Sequence, residues 1–125
     1  MYFRKLVASV GLIIASLAVA SMGATTMNKT TYFTFNEPVR LPNQILPPGT
    51  YLFELAAPDS ARNLVRVRDR NQTKVYLTAF TRLVERNNHG DLKPAITLGE
   101  AVKGSAPPIR VWYPDGERMG REFIY

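Results

Sequence analysis

Residues 64–79 read LVRVRDRNQTKVYLTA, and this stretch decides the fold class. Apolar and polar residues alternate on both sides of the polar centre DRNQT, so that Val65 and Val67 share one face of the first run. A period of two residues on either side of turn-forming residues is typical of two paired strands. The pattern therefore predicts an antiparallel hairpin of strands Leu64–Arg68 and Lys74–Ala79.

The apolar faces of these two strands also predict how they pair. If the two faces meet, Val67 lies opposite Val75 and Val65 lies opposite Leu77. The connecting loop then holds three or five residues. A loop of two or four residues would put Lys74 beside Val67, in the core.

The same pairing predicts a basic cluster on the outer face of the hairpin, formed by Arg66, Arg68, Lys74 and Tyr76. Arg68 and Lys74 would lie directly opposite, and like charges across two strands cost up to about 1 kcal/mol. A bound anion would offset this cost, with the Arg66 guanidinium as a fork and Tyr76 as a stacking surface. The cluster thus predicts a site for an anionic glycan or a lipid head group. The alternative is a solvated face whose charges are screened by salt.

The rest of the chain has the same strand-and-turn character. It contains 9 prolines and 8 glycines, and no helical period extends beyond a few residues. The pattern predicts a single all-β domain of about seven to eight short strands. This indicates a β-sandwich, Ig-like or jelly-roll-like, with a small β-barrel as the alternative. Besides the hairpin, the predicted strands are 30–35, 38–42, 50–55, 95–99, 109–113 and 122–125; the second hairpin strand continues to 85, and 57–63 is predicted to be a loop.

The first twenty residues have the three-part pattern of a signal peptide. Arg4 and Lys5 precede an uncharged apolar run, Leu6–Leu17, which is shorter than the roughly 20 residues of a membrane-spanning helix. A small-x-small cleavage motif, Ala18-Val19-Ala20, follows. An uncleaved anchor is the alternative. The predicted organisation is a cleavable signal peptide at 1–20, a flexible segment at 21–29 and the β domain at 30–125.

Export, charge and composition together limit the range of functions that the chain can have. The chain has no cysteine, so no disulfide can form. Removal of the signal peptide reduces the net charge from +6 to about +4. An exported protein of this kind, in the periplasm or outside the cell, is expected to have no nucleic-acid partner and no membrane span after cleavage. Anionic envelope glycans, lipid head groups or an envelope protein are the partners that a moderately basic surface favours.

Three passages resemble a group of small exported proteins from Gram-negative soil bacteria, a group of unknown function. They are Thr31–Val39, the Leu-Pro-Pro-Gly-Thr-Tyr element at 46–51, and the ending, Trp112-Tyr113-Pro114 followed by Gly120–Tyr125. In that ending, residues 115–119 form an insertion relative to the group's pattern. The resemblance implies export, a bacterial source and one β domain, and it transfers no functional residue.

The sequence contains no recognisable catalytic motif. His89 is the only histidine, in a polar loop without further metal ligands at a recognisable spacing, and no serine lies in a Gly-x-Ser-x-Gly elbow. We therefore predict a non-catalytic binding or structural module without a metal or cofactor. Two alternatives remain. One is a small hydrolase of envelope glycan that uses Glu54 and a second carboxylate. The other is an accessory subunit that pairs with a partner through an exposed strand edge at Glu122–Tyr125.

Four aromatic residues allow one more hypothesis. Trp112, Tyr113, Tyr76 and Tyr51 lie in predicted strands, where aromatic side chains form either a carbohydrate-stacking platform or part of the core. The core is the preferred interpretation, because aromatic residues are common on the half-buried surfaces of strands. Similarly, Glu54 lies in an apolar strand among many arginines. This favours a solvent-side or ion-paired carboxylate over a catalytic one.

Overall fold

The computed structural model describes residues 30–87 and 90–125. Within them the protein is all-β, in agreement with the prediction, and it contains no helix. The predicted signal peptide, the segment 21–29 and His89 lie outside the described residues. The strands are β1 (Thr31–Phe35), β2 (Val39–Leu41), β3 (Gln44–Leu46), β4 (Gly49–Ala57), β5 (Ala61–Asp69), β6 (Val75–Phe80), β7 (Arg82–Glu85), β8 (Ala95–Leu98), β9 (Ile109–Tyr113) and β10 (Met119–Glu122).

The strands form two four-stranded antiparallel sheets and a small hairpin. The first sheet has the order β1-β4-β5-β6, the second has the order β7-β10-β9-β8, and β2 pairs with β3. Among the described strands no sheet closes on itself, so the arrangement fits the predicted small sandwich and not a barrel.

The core lies between the two sheets and is built from alternate residues of each strand. Phe53 of the first sheet is fully buried. It contacts Phe33 edge to face, with ring centroids 5.6 Å apart, and Trp112 of the second sheet at 6.0 Å. Val65 and Val67 are both fully buried, which confirms that this face of β5 is the core face. Without cysteine, aromatic and branched apolar packing supplies the main stabilisation of the domain.

One continuous stretch of chain joins the two sheets along one side. Residues 74–85 were predicted as a single strand, but Thr81 divides them into β6 of the first sheet and β7 of the second. Asn63 and Thr81 fix this corner. The Thr81 main-chain N–H and hydroxyl donate to the Asn63 carbonyl at 2.9 and 2.8 Å, and the Asn63 carboxamide donates to the Thr81 carbonyl at 3.0 Å.

The hairpin of β5 and β6 forms as predicted, but its register differs from the predicted one. Val67 lies opposite Leu77, not Val75, and Arg68 lies opposite Val75. The Asp69 N–H donates to the Lys74 carbonyl, which encloses a loop of four residues and not three or five. A four-residue loop would turn the apolar residues of β6 away from the core. A bulge next to the Val67–Leu77 pair, with Tyr76 as the extra residue, restores the match.

The bulge leaves a main-chain carbonyl to be satisfied, and the β2–β3 turn supplies the donors. The side-chain amides of Asn43 and Gln44 both donate to the Tyr76 carbonyl, at 2.9 and 2.8 Å. A buried or half-buried carbonyl without a partner is costly, so these bonds tie the β2–β3 hairpin to this end of β6.

Other predicted boundaries were also wrong. Residues 57–63 were predicted as a loop, but Ala57 pairs with Ala61, so that only Pro58–Ser60 connect β4 and β5. The last strand is Met119–Glu122 and not 122–125. The strand β3 was not predicted, since its three residues lie between prolines.

Tyr125 joins the last residues to two other parts of the fold, and this contact is expected to make stability depend on alkaline pH. Its hydroxyl shares its proton between the carbonyls of Ile109 and Arg40, at 2.7 and 2.8 Å. Burial raises the pKa of Tyr125 to about 12. The folded state therefore binds this proton more tightly than the unfolded state, and its contribution is complete below pH 10 and is lost as the pH rises through 12. Urea unfolding between pH 9 and 12 should show a steeper loss of stability in the wild type than in Tyr125→Phe. Parallel curves would contradict this.

Candidate functional site

Glu54 lies at the centre of an ion-pair cluster on the outer face of the first sheet. It is only 6% exposed and lies beside Arg66 and Arg68 of β5. The Arg66 Nε donates to Oε2 at 2.7 Å, and an Arg68 terminal nitrogen donates to Oε1 at 3.1 Å. Both carboxylate oxygens are therefore occupied by guanidinium groups, which confirms the ion-paired interpretation of Glu54. We call these three residues the Glu54 cluster.

The Glu54 cluster extends across the sheet through a polar network. Arg68 also donates to the Gln72 side-chain oxygen at 3.2 Å, and the Gln72 amide donates to the Tyr32 hydroxyl at 3.1 Å. The Arg68 Nε is 2.8 Å from Glu54 Oε2, but its N–H does not point at that oxygen and makes no hydrogen bond. The distance reflects electrostatic attraction, and the terminal nitrogen makes the directed contact.

The structure divides the predicted basic cluster between two faces. Because of the bulge, Tyr76 packs on the core side against Tyr51, with ring centroids 5.4 Å apart, and the Lys74 ammonium lies 4.9 Å from the centroid of the Tyr76 ring. Arg66 and Arg68 remain together on the outer face. Arg68 faces Val75, so the expected repulsion from Lys74 across the strands was wrong. Anion binding by this face therefore remains a prediction, but repulsion between Arg68 and Lys74 no longer supports it.

The proposed aromatic platform does not form. Trp112 is fully buried and Tyr51 is 4% exposed, which confirms that both belong to the core. The Trp112 indole nitrogen is buried without a hydrogen-bond partner among the described residues. Tyr113 alone of the four lies on the outer face of the second sheet, where it covers Gly120.

The described residues of the loop around His89 and the predicted strand edge at Glu122–Tyr125 offer no site. Asp91 accepts a hydrogen bond from the Lys93 main-chain N–H at 3.1 Å, and within 30–87 and 90–125 no group of three or more acidic or histidine side chains could hold a metal ion. The strand edge expected at Glu122–Tyr125 was wrong. Glu122 belongs to β10, which is covered on both sides by β7 and β9. Its carboxylate pairs with Arg82 and Arg110, which together hold the pKa of Glu122 below its usual value.

A pocket on the outer face of the second sheet is a candidate site that the sequence does not indicate. Its volume is about 290 Å³, near the small end of ligand-binding pockets. The residues that line it carry a cation, a carboxamide, a hydroxyl and an aromatic ring. They are Arg86, Asn87, Ala95, Thr97 and Tyr113, and we call this site the Arg86 pocket.

Arg86 is the unusual member of this pocket, since it is only 8% exposed. Its Nε donates to the Glu117 carbonyl at 2.8 Å, and its terminal nitrogens donate to the carbonyls of Pro114 and Asp91 at 3.0 and 3.3 Å. The guanidinium carbon lies 4.9 Å from the centroid of the Tyr113 ring. These acceptors are main-chain carbonyls, which carry no formal charge.

Burial lowers the pKa of Arg86, and nearby Tyr113, Asp91 and Asp115 compensate only in part. Even so, a guanidinium stays charged at any physiological pH, so the pocket holds a partly desolvated cation. No sequence signal could have found this site. Arg86 follows a short strand like any surface arginine, and its partners come from residues 91, 114 and 117.

Comparison of the chain with protein-family models, curated proteins and solved structures gives no match. No helix among the described residues is long and apolar enough to span a membrane.

Proposed function

We propose that this chain is an exported, non-catalytic β-sandwich module that binds an anionic sugar unit of envelope glycan in the Arg86 pocket. The observation that carries the proposal is the environment of Arg86, a buried guanidinium that lines a pocket and donates to three uncharged carbonyls. A guanidinium has five N–H groups, so two remain for a ligand once these three bonds are made. A guanidinium that has one such N–H group on each terminal nitrogen can donate to the two oxygens of a carboxylate.

The other lining residues support a sugar as the rest of the ligand. The Thr97 hydroxyl and the Asn87 carboxamide can donate to and accept from sugar hydroxyls, and Ala95 leaves space beside the Tyr113 ring. The volume of about 290 Å³ suits one small unit better than an extended oligosaccharide.

The environment of Glu54 supports the non-catalytic part of the proposal. A glycosidase needs two carboxyl groups on either side of a sugar, about 5 to 9.5 Å apart. Both oxygens of Glu54 contact arginines. This carboxylate therefore stabilises the sheet through ion pairs and is poorly placed to donate or accept a catalytic proton.

Titration calorimetry with galacturonate and galactose tests the proposed ligand class. These sugars differ in charge at one carbon, and a charge-assisted hydrogen bond contributes about 1.5–3 kcal/mol. We expect galacturonate to bind at least about tenfold more tightly than galactose, with an affinity that decreases with salt. Equal affinities for the two sugars would contradict the proposal.

Three variants locate the binding. Ala95→Leu should fill the pocket and abolish galacturonate binding while Arg86 remains. Arg110→Gln removes a charge from the same outer face, where Arg110 pairs with Glu122, and should bind as the wild type does. Arg66→Ala/Arg68→Ala tests the predicted site at the Glu54 cluster in the same experiment. Loss of binding in that double variant, with Ala95→Leu unaffected, would move the site to the first sheet.

Export is a separate part of the proposal and has its own test. The charged start, the apolar run and the Ala18-Val19-Ala20 motif support cleavage after Ala20. N-terminal sequencing of protein recovered from the periplasm or medium should begin between Ser21 and Thr26. A chain that still begins at Met1 would contradict it.

A further inference from the structure

The outer edge of β6 has unpaired main-chain groups between Thr78 and Phe80. β6 is the edge strand of the first sheet and pairs only with β5. The Thr81 N–H donates to the Asn63 carbonyl, so this pair is a hydrogen-bonded position of the antiparallel ladder. Such positions alternate, and the N–H and C=O groups of Thr78 and Phe80 therefore point away from β5. We call this segment, residues 78–80, the β6 edge.

The protein protects the other end of this strand and leaves the β6 edge uncovered. At Tyr76 the bulge distorts the strand, and the Asn43 and Gln44 amides cover its carbonyl. Among the described residues, no main-chain hydrogen bond outside the ladder reaches Thr78 or Phe80. Edge strands are usually protected by charges, prolines, bulges or covering segments, and residues 78–80 carry neither a charge nor a proline.

The side chains of the β6 edge offer a surface as well as hydrogen bonds. Phe80 is 62% exposed, although it is a large apolar residue, and the Thr78 side chain is also exposed. Both lie on the outer face, opposite Leu64 and Arg66 of β5. An added strand would pair with the main chain here and cover the Phe80 ring.

The charges around the β6 edge indicate what kind of strand would bind. Lys74 precedes β6, and Arg82 follows it with a side chain that is 67% exposed and shares the carboxylate of Glu122 with Arg110. On β5, Arg66 and Arg68 share the single carboxylate of Glu54, which leaves one excess positive charge beside the edge. An acidic segment is therefore complementary and a basic one is not.

We propose that the β6 edge binds an extended acidic segment of a partner protein, which adds to the first sheet as a fifth strand. Its alternate residues would place apolar side chains over Phe80 and carboxylates near Lys74 and Arg82. This surface belongs to the first sheet, and the Arg86 pocket belongs to the second, so either proposal can fail without the other.

Fluorescence anisotropy with a labelled octapeptide of alternating glutamate and valine tests this proposal on the exported protein. The comparison peptide has lysine in place of each glutamate. We expect saturable binding of the glutamate peptide, at least tenfold tighter than that of the lysine peptide and weaker at high salt. Equal binding of the two peptides, or binding of neither, would overturn the proposal.

Three variants make the test specific to the edge. Thr78→Pro removes an outward N–H without removing a ladder bond to β5, and Phe80→Glu adds a repulsive charge; each should weaken binding of the glutamate peptide at least tenfold. Phe80→Glu keeps the test valid if the proline variant does not fold. Ile45→Glu is the control, because Ile45 is 56% exposed but lies on the β2–β3 hairpin, and it should bind normally. Unchanged binding in both edge variants overturns the proposal, as does self-association of the wild type that Thr78→Pro abolishes.

Discussion

Replacement of Arg121 by methionine should lower the free energy of unfolding by about 3 kcal/mol, the lower end of the range for breaking a buried ion pair. Arg121 is 1% exposed on β10, and its guanidinium joins three segments. It donates to the carbonyls of Arg62 and Met119 at 3.0 and 2.8 Å, and to the Glu117 carboxylate at 2.6 Å. Methionine fills much of the same volume but leaves these acceptors without a donor.

Arg82→Met is the matched control for this experiment. Arg82 also pairs with a glutamate, Glu122, but its side chain is 67% exposed, and surface ion pairs contribute only up to about 1 kcal/mol. Urea unfolding should therefore show a clearly larger loss in the free energy of unfolding for Arg121→Met than for Arg82→Met. If Arg121→Met stays within 1 kcal/mol of the wild type, the buried arginine does not hold the second sheet in the way that its contacts indicate.

Replacement of Gly120 by alanine should cost about 2 kcal/mol, because β10 has no space for a side chain at this position. A Cβ atom there would lie 2.5 Å from Cε1 of Tyr113 and 2.7 Å from Cγ1 of Val111. The ring of Tyr113 occupies the space over the glycine and also contacts the Arg86 guanidinium. The same substitution should therefore weaken ligand binding in the Arg86 pocket.

A double-mutant cycle tests this contact. In a Tyr113→Ala background, Gly120→Ala should cost less than in the wild type, with a coupling of about 1 kcal/mol or more. Gly99→Ala is the control. Its Cβ would meet the flexible side chain of Arg110 at 2.9 Å and Pro108 at 3.1 Å, so its cost should be smaller. Equal costs of Gly120→Ala in both backgrounds would contradict the packing role of Tyr113.

The sequence predicted the faces of the strands better than their pairing. Alternation placed Val65 and Val67 correctly in the core, because burial on one face imposes a period of two. The register failed at Tyr76, since a bulge inserts one residue without changing the composition of the strand. Leu77 packs inward and Val75 lies on the outer face, 51% exposed, although both are apolar strand formers, so nothing in the pattern VYL shows which residue is extra.

The buried arginines could not be predicted for a different reason. Arg86 and Arg121 look like surface residues in the sequence, and arginine is rarely buried without partners. Most of their partners are carbonyls, and several belong to distant segments, such as that of Arg62 for Arg121 and that of Pro114 for Arg86. Every residue has a carbonyl, so the sequence gives no sign of which one will meet a guanidinium. The ion pairing of Glu54 was easier to predict, because its acidic side chain lies in an apolar strand and requires a cation.

If the Arg86 guanidinium holds an anionic ligand in its pocket, the signals of its own N–H groups should respond to that ligand. The most direct measurement is an NMR titration of the ¹⁵N-labelled protein with galacturonate that follows the arginine Nε–H signals. We predict a saturable shift of the Arg86 signal together with the main-chain signals of Thr97 and Tyr113, and no shift for Arg110. A titration in which the Arg86 signal stays fixed at saturating galacturonate, or in which only Arg66 and Arg68 respond, would contradict the claim.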